Sequence, residues 1–343
     1  MIEEEALDPP ATSARTASPW LSVVLPAFNG AAYIGSALAS IVSQHDAGVE
    51  VVVVDDGSSD GTIEVVKRFH ESLSLRVIEG PRRGNWAAAT NAGIKLARGE
   101  YLSILHQDDL WLDGRLQAVR ALLTQVPDAT LVLHSSVFID ESGQRVGVWR
   151  CPLPAAAGAL PPQLVVDRLL VQNFIAMPAP LFRREAALQA GGLDESLWYT
   201  ADWDLWLTLA ERGPTLFCSQ LLAAFRVHSD SQTASRAGEN SEMHRQSLVV
   251  LDRHFGRCGG PVQPEIEAVA RFSAALNAAL AGASAGGPLP WSIAARFFAL
   301  GPRGWRRYLR DSRIVERLRA RVSARLRKPG RSIALPARAG SPR

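Results

Sequence analysis

The sequence predicts an α/β fold, a doubly wound and mostly parallel sheet flanked by helices, on three observations. Two short runs, Leu21–Pro26 (LSVVLP) and Val49–Asp56 (VEVVVVDD), are continuous and rich in β-branched residues, as strands buried on both faces are. Between them, Ile34, Leu38, Ile41 and Val42 recur at spacings of three and four, so Ala31–Ser43 can lay one apolar helical face on the sheet. Each apolar run then ends in a polar cluster, and the carboxyl ends of strands are where open α/β sheets bind ligands.

The alternation continues in order. A helix is expected over Thr62–Phe69, with Asp60 placed to cap it, then a strand over Leu75–Glu79 and a helix over Ala87–Ala97. A strand over Tyr101–Leu105, a helix over Gly114–Gln125 and a strand over Thr130–Phe138 follow. Pro152–Pro162 reads as a Pro- and Ala-rich surface loop. Beyond it, Asp202–Arg212 is helical, Leu216–Arg226 partly extended, and Glu239–Arg253 and Pro264–Ala281 helical, with a linker by composition at Gly282–Pro290. No repeat of 20–50 residues is present.

Composition narrows the function classes. With 343 residues, 47% hydrophobic and 21% charged, the chain can bury a real core and is neither disordered nor collagenous. Three widely spaced cysteines, Cys151, Cys218 and Cys258, support neither a disulfide framework nor a Cys-rich zinc site. The net charge of +3 conceals a basic end: residues 301–343 hold 14 Lys and Arg against 2 Asp and Glu, which leaves the body acidic. An acidic body with one basic segment points to a local anionic partner and not to nucleic acid. The acidic first residues, Glu3, Glu4, Glu5 and Asp8, do not suit a signal peptide, and no run of about 18 apolar residues suggests a spanning helix.

Three polar clusters carry the chemistry. Asp55-Asp56-Gly57-Ser58-Ser59-Asp60-Gly61 closes the second strand, where ionised carboxylates can accept hydrogen bonds from ribose hydroxyls or base N–H groups; the competing reading is a polar turn with a helix cap. His106-Gln107-Asp108-Asp109 closes the strand Tyr101–Leu105, and two adjacent carboxylates there call for a positive partner, economically a divalent cation with a diphosphate, unless they form a solvated acidic turn. Asp202 opens a helix among Trp198, Trp203 and Trp206, where lost solvation raises a carboxyl pKa and improves a general base; an N-cap beside core tryptophans is the plainer alternative. His228 stands alone, which by itself favours a structural role.

In this order the clusters resemble the inverting family-two glycosyltransferases of the GT-A fold. SVVLPAFNGAAYIGSALASIVSQ and VVVVDDGSSDGT are similar to that family's nucleotide-binding half, GNWAAATNAGIKLARGEYLSILHQDDLW to the segment ending in its acidic metal motif, and GGLDESLWYTADWDLWLTLA to the region of its base. The resemblance implies a Rossmann-like, mostly parallel sheet flanked by helices over 18–235, after a flexible N-terminus at 1–17. A helical extension over 236–300 and a basic amphipathic tail over 301–343 would follow. It places Pro26, Phe28, Asp55 and Asp56 near nucleobase and ribose, with Asp108 beside the nucleotide. Asp108 and Asp109 would hold Mn2+ or Mg2+, with His228 at the metal or diphosphate, and Asp202 would deprotonate the acceptor. His106 departs from the acidic first position of the metal motif, Ala201 stands where Glu commonly precedes the base, and Thr90 replaces a frequent arginine.

The implied activity moves a sugar, with inversion, from a nucleoside-diphosphate sugar to a glycan or lipid-linked acceptor in bacterial surface polysaccharide or lipid-linked glycan synthesis. A nicotinamide dehydrogenase is excluded because the first turn, Pro26-Ala27-Phe28-Asn29-Gly30, lacks the Gly-x-Gly-x-x-Gly fingerprint, and no Walker loop is present. A non-catalytic sugar-binding scaffold is the remaining alternative. In the tail, Trp305, Tyr308, Leu309, Val315, Leu318, Val322 and Leu326 form an apolar stripe flanked by Arg306, Arg310, Arg313, Arg317, Arg321 and Arg325. That pattern suggests an anionic membrane surface as partner, and a cytoplasmic enzyme peripheral on the inner face of the plasma membrane; a helix docked on the catalytic domain is the other reading.

Overall fold

The computed structural model describes residues 18–155, 158–228, 235–236, 238–257 and 264–326; the expected flexible N-terminus, and the tail beyond 326 with the side chains of Arg325 and Leu326, lie outside them. Four strands run parallel in the order β3 (Ser74–Glu79), β2 (Val49–Asp55), β1 (Leu21–Ala27) and β4 (Tyr101–Ile104). Every residue of β1, β2 and β4 is buried, as their continuous apolar runs require. Helices α1 (Ile34–Val42), α2 (Thr62–Lys67) and α3 (Trp86–Leu96) supply the crossovers.

The sheet is mixed, not mostly parallel. Beyond β4 it continues through β8 (Leu181–Arg183), β6 (Leu131–Ile139), β9 (Thr215–Arg226) and β5 (Leu110–Trp111), with β7 (Arg145–Trp149) paired to β6. Four pairings are parallel and four antiparallel. The reversal comes from β8, a three-residue strand that enters antiparallel between β4 and β6 and is too short to show in a hydrophobic pattern. Arg115, on α4 (Arg115–Leu123), is fully buried beneath this junction and donates to Ser103 Oγ at 3.0 Å, Ala179 O at 3.1 Å and His134 Nε2 at 3.1 Å.

Helices α5 (Pro162–Val171), α6 (Arg184–Ala190) and α7 (Ala201–Arg212) cover one face, so the Pro- and Ala-rich loop is followed at once by a helix with proline in its first turn. The long helices α8 (Asn240–Arg257) and α9 (Pro264–Ser284) pack on each other, and Val250, Leu251, Ile266, Ala270 and Ala274 join the core cluster of α5 and α7. The chain ends in α10 (Trp291–Ala299), α11 (Gly301–Ser312) and α12 (Ile314–Leu326).

The tail stripe does not form one face. Arg313, at φ +47°, breaks the helix between α11 and α12. Tyr308, Ile314 and Ala320 turn inward and are buried, while Leu309, Val315 and Val322 stay about half exposed. A Cβ on Gly147 of β7 would lie 2.7 Å from Ala320 Cβ, so the glycine permits α12 to seat directly on the strand. No helix among the described residues is long and apolar enough to cross a membrane.

Candidate active site

The carboxyl ends of β1, β2, β4 and β9 meet at a cavity of about 670 Å³, walled on its far side by α5, α7, α9 and α12. The loop after β1 is stitched to its neighbours by its own backbone. Asn29, at φ +45°, accepts from Ser59 N–H through Oδ1 at 2.9 Å, and its N–H donates to Ser58 Oγ at 2.9 Å. Asparagine tolerates this left-handed conformation. The Gln107 amide clamps Phe28 on both sides, accepting its N–H at 2.9 Å and donating to its carbonyl at 3.0 Å. A side chain on Gly30 would collide with that amide at 2.2 Å, which explains glycine there.

Of the five expected nucleotide contacts, Pro26, Phe28, Asp56 and Asp108 line the cavity and Asp55 does not. Asp55 organises its own turn, accepting from Gly57 N–H at 3.1 Å and Ser58 N–H at 2.9 Å. Asp56 accepts the backbone N–H groups of Arg83 and Gly84, drawing in the loop that carries Arg82. The Arg82 guanidinium sits 3.8 Å from the Phe28 ring centroid, a cation–π lid over an aromatic platform.

At the end of β4, one potential ligand atom from each of His106, Asp108 and Asp109 falls within 4.8 Å of the others. His106, Asp108 and His228 line the cavity, and His228 Nε2 lies 2.7 Å from Asp108 Oδ2. Asp109 is placed behind them. Its Oδ1 accepts the Arg226 backbone N–H at 2.9 Å, and its buried Oδ2 has no partner among the described residues. Burial, followed by the Asp108 charge, pushes the Asp109 pKa well up. Burial also lowers the His106 pKa, so the imidazole is neutral, and its Nε2 is buried with no partner among the described residues. A neutral imidazole and a carboxylate, each with an unpartnered buried atom, beside the Asp108 carboxylate suit a divalent cation.

Asp202 lies in the first turn of α7 and lines the same cavity. Burial raises its pKa to about 6, against a partial opposing effect from the Trp203 backbone and from Asn173 Nδ2, which donates to Oδ2 at 2.9 Å. Asp204 is engaged elsewhere, accepting Arg253 at 2.6 Å and facing His254 Nε2 at 3.0 Å. Trp203 and Trp206 belong to the core, whereas Trp198 and Tyr199 line the cavity, with Arg236 stacked 3.9 Å from the Trp198 ring. Trp86 Nε1 donates to the Trp198 carbonyl at 2.8 Å, tying this wall to α3.

Sequence reasoning passes over Gln107, Asn173, Arg82 and Arg226. His106 stands out in the sequence only as a departure from the acidic motif, not as a ligand, and nothing in local spacing pairs Asn173 with Asp202 or Asp109 with the Arg226 backbone, because these contacts span 29 and 117 residues.

Residues 22–166 match the family Glycosyl transferase family 2. The match covers 145 of the 343 residues. An uncharacterized glycosyltransferase of Rickettsia typhi is 28% identical over 225 residues, 65% of this chain and 68% of that one. The crystal structure of S. aureus TarS in complex with UDP-GlcNAc is similar at TM-score 0.57 and 19% identity, covering 89% of this chain and 90% of that one. The mannosyltransferase PcManGT from Pyrobaculum calidifontis in complex with GDP-Man and Mn2+ gives TM-score 0.55 and 21% identity, over 91% and 88%. The matched family segment holds Phe28, Asp56 and Asp108; Asp202, His228 and the cavity wall from α12 lie beyond it.

The raised Asp202 pKa has a stability consequence. The folded state holds that proton up to about pH 6 while the unfolded chain releases it near 3.8, so stability falls as pH rises through this window. Asp202→Asn is expected to melt at a higher temperature than the parent at pH 7.5 and at the same temperature at pH 3.5. Equal melting at both pH values would show that the carboxylate is not desolvated.

Proposed function

We propose that the protein is an inverting, metal-dependent glycosyltransferase, transferring a sugar from a nucleoside-diphosphate sugar to an acceptor hydroxyl. The observation that carries this is the placement of Asp202, with a pKa of about 6, across one cavity from His106, Asp108 and His228. The similar structures, solved with UDP-GlcNAc and with GDP-Man and Mn2+, support the donor class.

In this reading the Phe28 ring and the Arg82 guanidinium enclose the base, and Pro26 and Asp56 border the nucleoside. His106, Asp108 and Asp109, with His228 alongside, would hold Mn2+ or Mg2+, which would supply Lewis-acid neutralisation of the departing diphosphate. Asp202 accepts the acceptor's hydroxyl proton as the oxygen attacks the anomeric carbon from the face opposite the leaving group. Asn173 Nδ2 holds the carboxylate through Oδ2. One displacement converts an α-linked donor into a β-linked product, with no covalent sugar on the enzyme.

A glycan or lipid-linked acceptor in bacterial envelope synthesis, on the cytoplasmic face of the membrane, fits the last helices. Trp291 is 90% and Phe298 68% exposed on α10. Arg303, Arg306 and Arg310 of α11 line a shallow depression nearby. Apolar anchors beside basic residues are what a peripheral helix presents to anionic lipid.

Two outcomes are expected. In a panel of nucleotide sugars with Mn2+, one donor should be consumed, EDTA should stop turnover, and Asp202→Asn should lower kcat about 100-fold or more while nucleotide affinity changes little. Normal turnover in EDTA or in the folded Asp202→Asn protein contradicts the assignment. On vesicles, the protein should sediment with anionic lipid at low salt, and the double substitution of Trp291 and Phe298 by Ser should release it, whereas undiminished sedimentation of that variant removes the membrane face. Removing α11 and α12 is not the right test, because their inward faces belong to the core and the cavity wall.

A further inference from the structure

The cavity has a wall that the proposed chemistry leaves unused. α12 places Arg317 and Arg321 on it, with Arg317 near Tyr199. Arg317 is only 9% exposed, and its Nη1 is buried with no hydrogen-bond partner among the described residues.

The acids around it are committed to other arginines. Glu316 pairs with Arg150 at 3.3 Å and Arg313 at 3.6 Å, and Asp311 with Arg310 at 2.6 Å and Arg168 at 3.9 Å. Arg236, on the same cavity, makes a two-pronged pair with Glu239. Arg317 and Arg321 form no ion pair among the described residues, and each raises the cost of the other's charge. Burial and then Arg321 lower the Arg317 pKa to about 10, so it stays cationic at neutral pH. A buried guanidinium beside a second one, both facing a cavity, calls for an anion with several acceptor oxygens.

The position distinguishes the two anions such an enzyme meets. The leaving diphosphate belongs with His106, Asp108 and His228 at the strand ends, whereas Arg317 adjoins Tyr199, three residues before the proposed base. The helical wall also carries neutral polar groups: Gln172 Oε1 accepts from Ser273 Oγ at 3.1 Å and Asn277 Nδ2 at 2.8 Å.

We propose that Arg317 and Arg321 form a phosphate-recognition subsite for the acceptor, so that the acceptor carries a phosphate near the hydroxyl to be glycosylated. This rests on the glycosyltransferase reading for its placement of donor and acceptor. The subsite lies wholly outside the segment matching the family.

The test is calorimetry on the full chain, first with UDP and GDP in the presence of Mg2+, then with methyl phosphate added to the protein saturated by whichever nucleotide binds. Methyl phosphate should bind the nucleotide-loaded protein. Arg317→Gln should weaken it at least 10-fold, Arg321→Gln severalfold and Arg317→Lys less than Arg317→Gln, with nucleotide affinity within about twofold of the parent. Arg321→Gln, at an exposed position, keeps the test decisive if Arg317→Gln does not fold. Methyl phosphate binding unaffected in folded variants, or excluded by bound nucleotide, overturns the subsite. A 10-fold loss of nucleotide affinity in Arg317→Gln overturns it too, by assigning the arginine to the donor. If neither nucleotide binds, the donor reading fails by itself, and methyl phosphate binding lost in Arg321→Gln on the unliganded chain still supports an anion site.

Discussion

The hydrogen bond from the Arg226 backbone N–H to Asp109 holds the site together. It joins the end of β4 to the end of β9, two segments 117 residues apart that arrive from different parts of the sheet. The Arg226 side chain completes the junction. Its Nε donates to the Asp108 carbonyl at 2.8 Å, its Nη1 to the carbonyls of Asp140 and Glu141, and its guanidinium lies 4.8 Å from the Tyr33 ring centroid. With both strand ends fixed, His228, two residues past Arg226, reaches Asp108 at 2.7 Å. The adjacent aspartates thus divide the work: Asp109 faces the junction with one oxygen, and Asp108 faces the cavity.

Desolvation then gives the cavity its chemistry. Burial pushes Asp202 and Asp109 toward the protonated form and His106 toward the neutral form, so ionising any of the three costs more than in water. Such groups are costly to the fold, and the surrounding network offsets the cost: Asn173 on Asp202, Arg226 on Asp109, and the Asp204–His254–Glu211 and Asp204–Arg253 contacts that anchor α7 to α8. Perturbed groups gathered in one cleft support the catalytic reading proposed above over a binding scaffold.

The parallel half of the fold was legible because its strands are buried on both faces and read as unbroken apolar runs, with amphipathic helices between. The antiparallel half was not: β5 has two residues and β8 three, too few to carry a period. Helix α5 has a proper stripe in Val165, Val166, Leu169 and Leu170, but it starts at Pro162 directly after a loop of Pro and Ala, and composition masked it. Site residues followed the same division. Phe28, Asp56 and Asp108 sit at the ends of legible strands, so their place could be inferred. Asp55 and Asp109 could not be separated from their neighbours, since alternate residues at a strand end face opposite ways and only the tertiary partner decides which side is the cavity. The tail illustrates the limit differently. Its apolar spacing is real, but one left-handed residue, Arg313, divides the stripe between an inward and an outward face.

The central claim is that one displacement occurs across this cavity, with Asp202 opposite the leaving diphosphate. The anomeric configuration of the transferred sugar tests it most directly, followed by proton NMR as product first forms from an α-linked nucleotide sugar. The account predicts a β-anomeric product from the earliest time point, with no α-linked product preceding it. An α-linked product would require attack from the side of the leaving group or a covalent intermediate, and would contradict the role given to Asp202.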